Sequence, residues 1–459
     1  LSVAGSDESR IYGLRANAGA ALARVKQALF DRSDHWVARR MAGTAFLIRV
    51  LGAGFMYLSH ILLARWMGSF EFGVYVYVWT WLVLIGGLAP LGIAYSAQRF
   101  IPEYAASKDM ERLRGFLAGS RFLSFSLGAA AAAVGLVILM LAGGRLQSYY
   151  FVPFLLALAG LPLFTLASAQ DGIARSFNWI NVAIVPGFVA QPLVILAIVG
   201  VCYVLGVPGG AVTAMAATVA AIWITVLLQF TMLQRRLSGE VSAGPRRYEI
   251  GHWFKTALPI FMVDGFYFLL TYTDILILQF FVDPSQIGVY YAATKTLVLI
   301  SFIYYAVSAS YAHRFSEAHF AGERKRLESF VAEAVRWTFW PSLAMAVVLL
   351  VAGRWILMLF GPDFVDGYPM LFVLVLGLLA RSSVGPAERL LIMVGEQRLC
   401  AAIYATAFAV NLVLCLSLVA WLGVIGAAIS TATALIVEST LLFVMARRRL
   451  GLNIFFWRR

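Results

Sequence analysis

The chain has 459 residues, 61% of them hydrophobic and 13% charged, with a formal net charge of +13. A soluble fold of this length cannot hide that much apolar surface. Runs of roughly 20 apolar residues recur throughout, the length that crosses a hydrocarbon core about 30 Å thick, so the composition excludes a soluble enzyme and indicates an all-α polytopic membrane protein. A transmembrane barrel would show short alternating strands instead.

Apolar-run length predicts about twelve spans. They lie near 42–65, 72–97, 116–142, 151–169, 182–205, 211–232, 255–282, 288–312, 332–352, 369–394, 400–422 and 425–446. Basic residues fall in alternate loops, as at Arg112 and Arg114, Arg235 and Arg236, Arg324-Lys325-Arg326 and Arg447-Arg448-Arg449. The intervening loops hold little beyond Arg145 and Arg354. The positive-inside rule explains this pattern without a nucleic-acid partner and puts both termini in the cytoplasm. Residues 1–41 are basic and lack the apolar core of a cleavable signal peptide. Within them, 17–41 reads either as an amphipathic helix on the membrane surface or as a tail. Cys202, Cys400 and Cys415 all lie in apolar spans, and the five histidines show no metal-ligand spacing;. No nucleotide-binding Gly-x-x-x-x-Gly-Lys-Ser/Thr motif occurs.

The two halves echo each other. Phe72-Gly73-Val74-Tyr75 matches Ile287-Gly288-Val289-Tyr290, and the same offset of 215 pairs Arg99-Phe100 with Arg314-Phe315. Met110–Phe116 resembles Arg324–Phe330, and Gly206–Ala211 resembles Gly423–Ala428. An even number of spans per half makes the repeats parallel, related by an axis along the membrane normal. The expected organisation is a basic segment 1–41, a six-helix bundle 42–232, a linker 233–254, a second six-helix bundle 255–446 and a basic tail 447–459. No loop is long enough for a soluble catalytic domain, so no enzyme activity is expected.

The segment Ala64-Arg-Trp-Met-Gly-Ser-Phe-Glu-Phe-Gly-Val-Tyr75 resembles the opening motif of the polysaccharide transporter family, as does Ala97-Gln-Arg-Phe-Ile-Pro-Glu-Tyr104. Asp274 followed by Ile287–Lys295 is similar to the start of that family's second half. Gly395-Glu-Gln-Arg398, Asn411 and Gly423–Ile429 resemble its last two spans. The family includes O-antigen and exopolysaccharide flippases, within a superfamily that also holds drug antiporters and the lipid II flippase. The resemblance implies a MATE-like fold with inward-facing and outward-facing states, in a bacterial inner membrane. It implies a polyprenyl-pyrophosphate-linked oligosaccharide as cargo, with membrane lipids and other glycan assembly proteins as partners.

Charges inside the spans are the candidate site residues, because each is costly in a bilayer unless it meets protein, water or a partner. Arg49 plus 215 is Asp264, so the two stand at equivalent depth on the first span of each half. They either pair across the cavity in one state and part in the other, or each finds a partner in its own bundle. Asp274 and Lys295 sit at similar depth on adjacent spans, either as a structural ion pair or with Lys295 facing the cavity as a phosphate ligand. Arg381 lies midway along its span, just before Gly385-Pro386, where a proline invites a bend. Its planar guanidinium suits phosphate, and packing against Glu438 is the alternative. Glu388 and Arg389 read as nearer the cytoplasmic end, and Arg121 as snorkelling to the surface. The expectation is a cationic cavity in which Arg49, Lys295 and Arg381 bind substrate. Asp264 and Asp274 serve coupling or gating, open to protons or sodium, and no cofactor is implied. The alternatives are a cation-coupled drug antiporter of the same superfamily, or a membrane glycan polymerase or ligase.

Overall fold

The structure is a computed structural model that describes residues 34–143, 147–452 and 454–456. The reading of 17–41 as an amphipathic helix falls mostly outside these. The described chain is helical throughout, in the order α1 (Asp34–Leu88), α2 (Ile93–Ala106), α3 (Met110–Ala142), α4 (Ser148–Ser176), α5 (Ile180–Val185), a π turn (Pro186–Ala190), α6 (Gln191–Val204), α7 (Ala211–Glu240) and α8 (Ile250–Leu278). There follow α9 (Pro284–Thr296), α10 (Val298–Phe320), α11 (Arg324–Met358), a 3-10 turn (Pro362–Gly367), α12 (Tyr368–Ser383), α13 (Ala387–Met393), α14 (Gln397–Leu422) and α15 (Val424–Leu450).

Among the described residues, eleven helical stretches are long and apolar enough to cross a membrane. The first, Ile48–Ala106, has 59 residues. At 1.5 Å per residue it would be roughly 90 Å long, far more than one crossing. Gly68 breaks it, with φ 79° and ψ 173°, a conformation closed to residues with a Cβ;. The described residues therefore provide the twelve crossings expected. Several are broken within the membrane. Pro90 and Gly92 separate α1 from α2, Leu297 separates α9 from α10, and Gly385-Pro386 separates α12 from α13. Basic residues cluster at one face of the bundle, called here the basic face.

The duplication is visible in the packing. Tyr75 bonds the Thr218 hydroxyl at 3.0 Å, and Tyr290, 215 residues on, meets the Thr431 hydroxyl at 3.4 Å. The threonine offset is 213, which equals the offset between the starts of α7 and α15. The glycine motif at 206 and 423 is therefore not aligned as its sequence implies. Residues 207–210 form a loop before α7, whereas Gly423 directly precedes α15.

The halves meet tightly at the face opposite the basic one. A Cβ on Gly73 would stand 1.7 Å from the Pro284 carbonyl oxygen, and one on Gly288 would stand 2.8 Å from the Ser69 carbonyl oxygen. Residues 69 and 284 share the 215 offset, so the two contacts are reciprocal about the pseudo-twofold axis. Around them Arg65 donates to the Leu359 carbonyl at 2.7 Å, Ser69 to Asp363 at 2.9 Å, and Tyr150 to Gln279. Deeper in, Tyr57 bonds Thr296 at 2.8 Å and His60 meets Tyr291 at 3.3 Å. At the basic face the linker docks on α3, and Trp253 is fully buried beside Tyr104 and Phe116. The C-terminal segment is not simply a solvated basic tail. α15 runs to Leu450, Leu452 and Ile454 are buried, and Phe456 stacks on Phe339 at 3.9 Å.

Gly73→Ala should lower the thermal unfolding midpoint in detergent, with an overpacking cost of about 1–3 kcal/mol. Gly288→Ala should do the same more mildly. A Gly73→Ala midpoint equal to the parent's would mean that the backbones do not meet there.

Candidate functional site

Within the second half lies a small recess walled by Tyr267, Ser301, Tyr304, Tyr305, Leu378, Arg381 and Ser382. Arg381 reaches it from the last turn of α12. That helix ends because Gly385 takes φ 58° and packs on the Val335 backbone, and Pro386 follows;. The bend expected from the sequence is thus present.

Arg381 is not free. Its guanidinium lies 3.6 Å from Glu438 and 3.7 Å from Glu388, and faces the rings of Tyr304 at 4.9 Å and Tyr267 at 5.5 Å. Those ion-pair distances exceed hydrogen-bond length. Neither Glu438 oxygen nor Arg381 Nε has a hydrogen-bond partner among the described residues, so the attraction is Coulombic. Tyr304 donates to Glu388 at 3.4 Å, and the Tyr267 and Tyr305 hydroxyls bond each other at 3.0 Å. Glu388 therefore reaches into the interior, rather than only toward the membrane surface.

Arg49 and Asp264 form no ion pair in this conformation, among the described residues. Arg49 is half-buried, its Nε has no hydrogen-bond partner among them, and the ionisable groups acting on it are Arg175, Asp171, Tyr305 and Arg389. Tyr305 and Arg389 belong to the second half, so charges of both halves act on Arg49. Asp264 is acted on by Glu388 and Arg389, and Tyr95 of the first half lies close to it. Arg175 is held by Asp171 at 2.8 Å.

Asp274 and Lys295 are not an ion pair either. Asp274, 3% exposed, accepts from Tyr290 at 2.6 Å, from Thr431 at 3.1 Å and from the Ile275 N–H at 2.8 Å. It thus joins the tyrosine–threonine pair of the second half, where the first half has Ser59 at the equivalent position. The Lys295 ammonium lies over Tyr291 at 4.8 Å and Tyr272 at 5.9 Å, with no carboxylate within ion-pair distance among the described residues. Tyr305, which lines the recess, is among the groups that act on Tyr272.

The intramembrane charges are of mixed sign rather than purely cationic, and of them Arg381 lines the recess. Asp171, Asp264, Asp274, Glu388 and Glu438 stand among Arg49, Arg175, Lys295, Arg381 and Arg389. Within that set Arg49, Lys295 and Arg389 are the cations without an ion-pair partner among the described residues, while Arg175 and Arg381 have carboxylates at 2.8 and 3.6 Å. Asp171, Arg175, Arg389 and Tyr305 were not singled out from the sequence as cavity residues. The Asp-x-x-x-Arg spacing of 171 and 175 was the available signal, a helical i,i+4 pair. Arg121 points back to the basic face as expected, donating to the Leu117 carbonyl at 2.8 Å.

Two helical bundles duplicated about an axis along the membrane normal, with a charged seam between them, define a multi-pass membrane protein with the fold of the MOP-superfamily transporters. A multidrug resistance MATE family transporter of that superfamily in an inward-facing conformation superposes with a TM-score of 0.73, at 16% identity, over 88% of this chain and 98% of that one. The lipid II flippase MurJ in an inward closed conformation gives 0.70, at 17% identity, over 88% and 87%. An outward-facing MATE family transporter gives 0.66, at 16% identity, over 90% and 95%. Residues 40–317 match the polysaccharide biosynthesis protein family, and the chain belongs to it. The curated proteins gave no significant match.

Removing Arg381 leaves the wholly buried Glu438 without a counter-ion and facing Glu388, a like charge. Arg381→Ala should cost about 3–5 kcal/mol, read as a lower unfolding midpoint in detergent. The Arg381→Met/Glu438→Met double variant should recover most of the loss. A double variant no better than the single one would show that the two charges do not stabilise each other.

Proposed function

We propose that this protein is a flippase. It moves a polyprenyl-pyrophosphate-linked oligosaccharide from the cytoplasmic to the outer leaflet of a bacterial inner membrane, with the basic face and both termini cytoplasmic. The family assignment supports a role in polysaccharide assembly, and MurJ supplies a structural neighbour whose cargo is lipid-linked. The observation that carries the reading is the pair Arg49 and Lys295. They come from opposite halves, border one seam, and have no carboxylate partner among the described residues. A pyrophosphate offers several oxygen acceptors to such groups.

In this reading Arg49 and Lys295 bind the head group. Arg175 and Arg389, which flank Arg49, add to the binding edge. Arg381 is held in reserve by Glu388 and Glu438 until cargo competes for it. The polyprenyl tail stays in lipid, and the sugars pass the tyrosine wall of the recess. The seal at Gly73 and Gly288 opens as the basic side closes, which is alternating access. Asp264 and Asp274 are the coupling or gating groups, for protons or sodium. Other glycan assembly proteins are expected partners.

The mixed sign of the intramembrane charges favours one alternative, a cation-coupled drug antiporter, since acids and tyrosines suit cationic compounds. A deletion strain decides between them. Loss of the gene should trap lipid-linked oligosaccharide on the cytoplasmic leaflet. Lys295→Ala and Arg49→Ala, expressed at parental level, should restore export at least roughly tenfold less well, as loss of a charge-assisted contact of about 1.5–3 kcal/mol implies. Lys295→Arg should restore more than Lys295→Ala. Full export by both alanine variants, or drug resistance on overexpression without any glycan defect, would sink the proposal.

A further inference from the structure

A second basic site stands outside the seam, at the rim between α3 and α7 on the basic face. Arg114 and Arg121 are seven residues apart and share one face of α3. Arg121 donates through Nε to the Leu117 carbonyl at 2.8 Å and through Nη1 to Gln234 of α7 at 3.1 Å. Its guanidinium lies over the Phe230 ring at 5.5 Å. Its Nη2 forms no hydrogen bond among the described residues.

The linker brings a third arginine to the same rim. Arg114 Nη1 donates to the Pro245 carbonyl at 2.9 Å, while its Nε is buried with no hydrogen-bond partner among the described residues. The Arg247 N–H donates to the Glu111 carbonyl at 3.0 Å. The Arg247 carbonyl packs so closely on Gly115 that a Cβ there would lie 1.8 Å from it. Arg246 is held between these anchors, and it is the charged group that acts on Arg121. Three guanidinium groups are thus gathered without an ion pair to any of them among the described residues. Two neighbouring acids are committed elsewhere. Asp109 and Glu249 hold Arg112 at 3.5 and 2.9 Å, and Glu249 also holds Arg247 at 3.5 Å. Beside the cluster, Phe122, Leu227 and Phe230 are exposed on the lipid-facing surface.

We propose that this groove binds the phosphate of an anionic phospholipid from the leaflet at the basic face. Arg121 and Arg246 clamp the phosphate oxygens, since a guanidinium presents paired donors to them. Arg114 adds charge from below, and the exposed apolar residues take the glycerol and upper acyl chains. Basic pockets between helices at the cytoplasmic surface bind anionic head groups in this manner. Free phosphate and pyrophosphate share the oxygen chemistry but make no use of the apolar flank.

Native mass spectrometry of the full-length protein in detergent, titrated with phosphatidylglycerol, phosphatidylcholine or inorganic pyrophosphate, tests this. The parent should retain phosphatidylglycerol in preference to phosphatidylcholine. Arg121→Gln/Arg246→Gln should bind phosphatidylglycerol roughly 30-fold more weakly, the factor that two basic side chains command at a lipid surface. Arg447→Gln/Arg448→Gln, which removes equal charge elsewhere on the basic face, should bind as the parent does. Arg246→Gln alone alters only the surface linker and should lose part of the affinity if the double variant fails to fold. Parental binding by both Arg246 variants would overturn the site. So would equal loss in the Arg447/Arg448 variant, which would mean diffuse surface charge. Pyrophosphate binding that matches phosphatidylglycerol and disappears with Arg121 and Arg246 would reassign the groove to a free phosphate.

Discussion

The close approach of two backbones at Gly73 and Gly288 constrains everything else in this molecule. Neither position has room for a Cβ, because the Pro284 and Ser69 carbonyl oxygens already occupy that space. Helices that approach this closely in a membrane gain van der Waals contact without relying on the hydrophobic effect, which has little force between apolar surfaces already in lipid. The contact also sets the pseudo-twofold axis, since each glycine meets the other half's equivalent residue. Once the axis is fixed at this face, the seam toward the basic face can differ in width between states while the bundles stay intact. The recess walled by Tyr267, Tyr304 and Arg381 belongs to the second half.

The intramembrane charges are accommodated in three distinct ways. Asp274 is absorbed by neutral donors, Tyr290, Thr431 and a backbone N–H, so it is solvated by protein in place of water;. Arg381 is balanced by two carboxylates and two aromatic faces, but at distances too long for hydrogen bonds. That arrangement holds charge in place without locking it. Arg49 and Lys295 have neither solution among the described residues. Lys295 has the negative faces of two tyrosine rings, which stabilise a cation while leaving its N–H groups open;. The contrast argues for different roles, since a fully satisfied group resists exchange of partners and a partly satisfied one invites it.

Much of the architecture was legible in the sequence because it rests on length and period. Apolar-run length gave twelve crossings, and the break that divides the long first helix falls at Gly68, between two expected spans. The 215-residue offset recovered reciprocal contacts and the Tyr75–Tyr290 correspondence. What sequence could not give was azimuth. Rise per residue fixes the depth of a side chain along a helix, whereas rotation is set by neighbours. Arg49 and Asp264 therefore share a depth without pairing here, and Asp274 turns to Tyr290 and Thr431 while Lys295, at similar depth, faces Tyr291. The same limit hid the mixed sign of the intramembrane charges. Asp171, Arg175, Glu388 and Arg389 lie near span ends, where a sequence reading sends charge outward, yet broken helices and the converging bundles turn them toward the seam. The glycine motif misled by one turn because an inserted loop and a helix start look alike without coordinates.

The duplication is a scaffold, and the two halves depart from it in different places. Ser59 occupies the position equivalent to Asp274, so only the second tyrosine–threonine pair encloses a carboxylate. α9 and α10 are separated at Leu297, and α12 and α13 at Gly385-Pro386, so two crossings of that half carry interruptions beside the recess. In the first half the interruptions are the break at Pro90–Gly92, between α1 and α2, and a π turn at Pro186–Ala190 packed against Gly52 of α1. A broken helix frees backbone groups and lets its two arms move separately, at a cost that lipid-facing positions could not bear. Placing those breaks where Arg381, Tyr304 and Glu388 converge puts deformable backbone next to exchangeable charge.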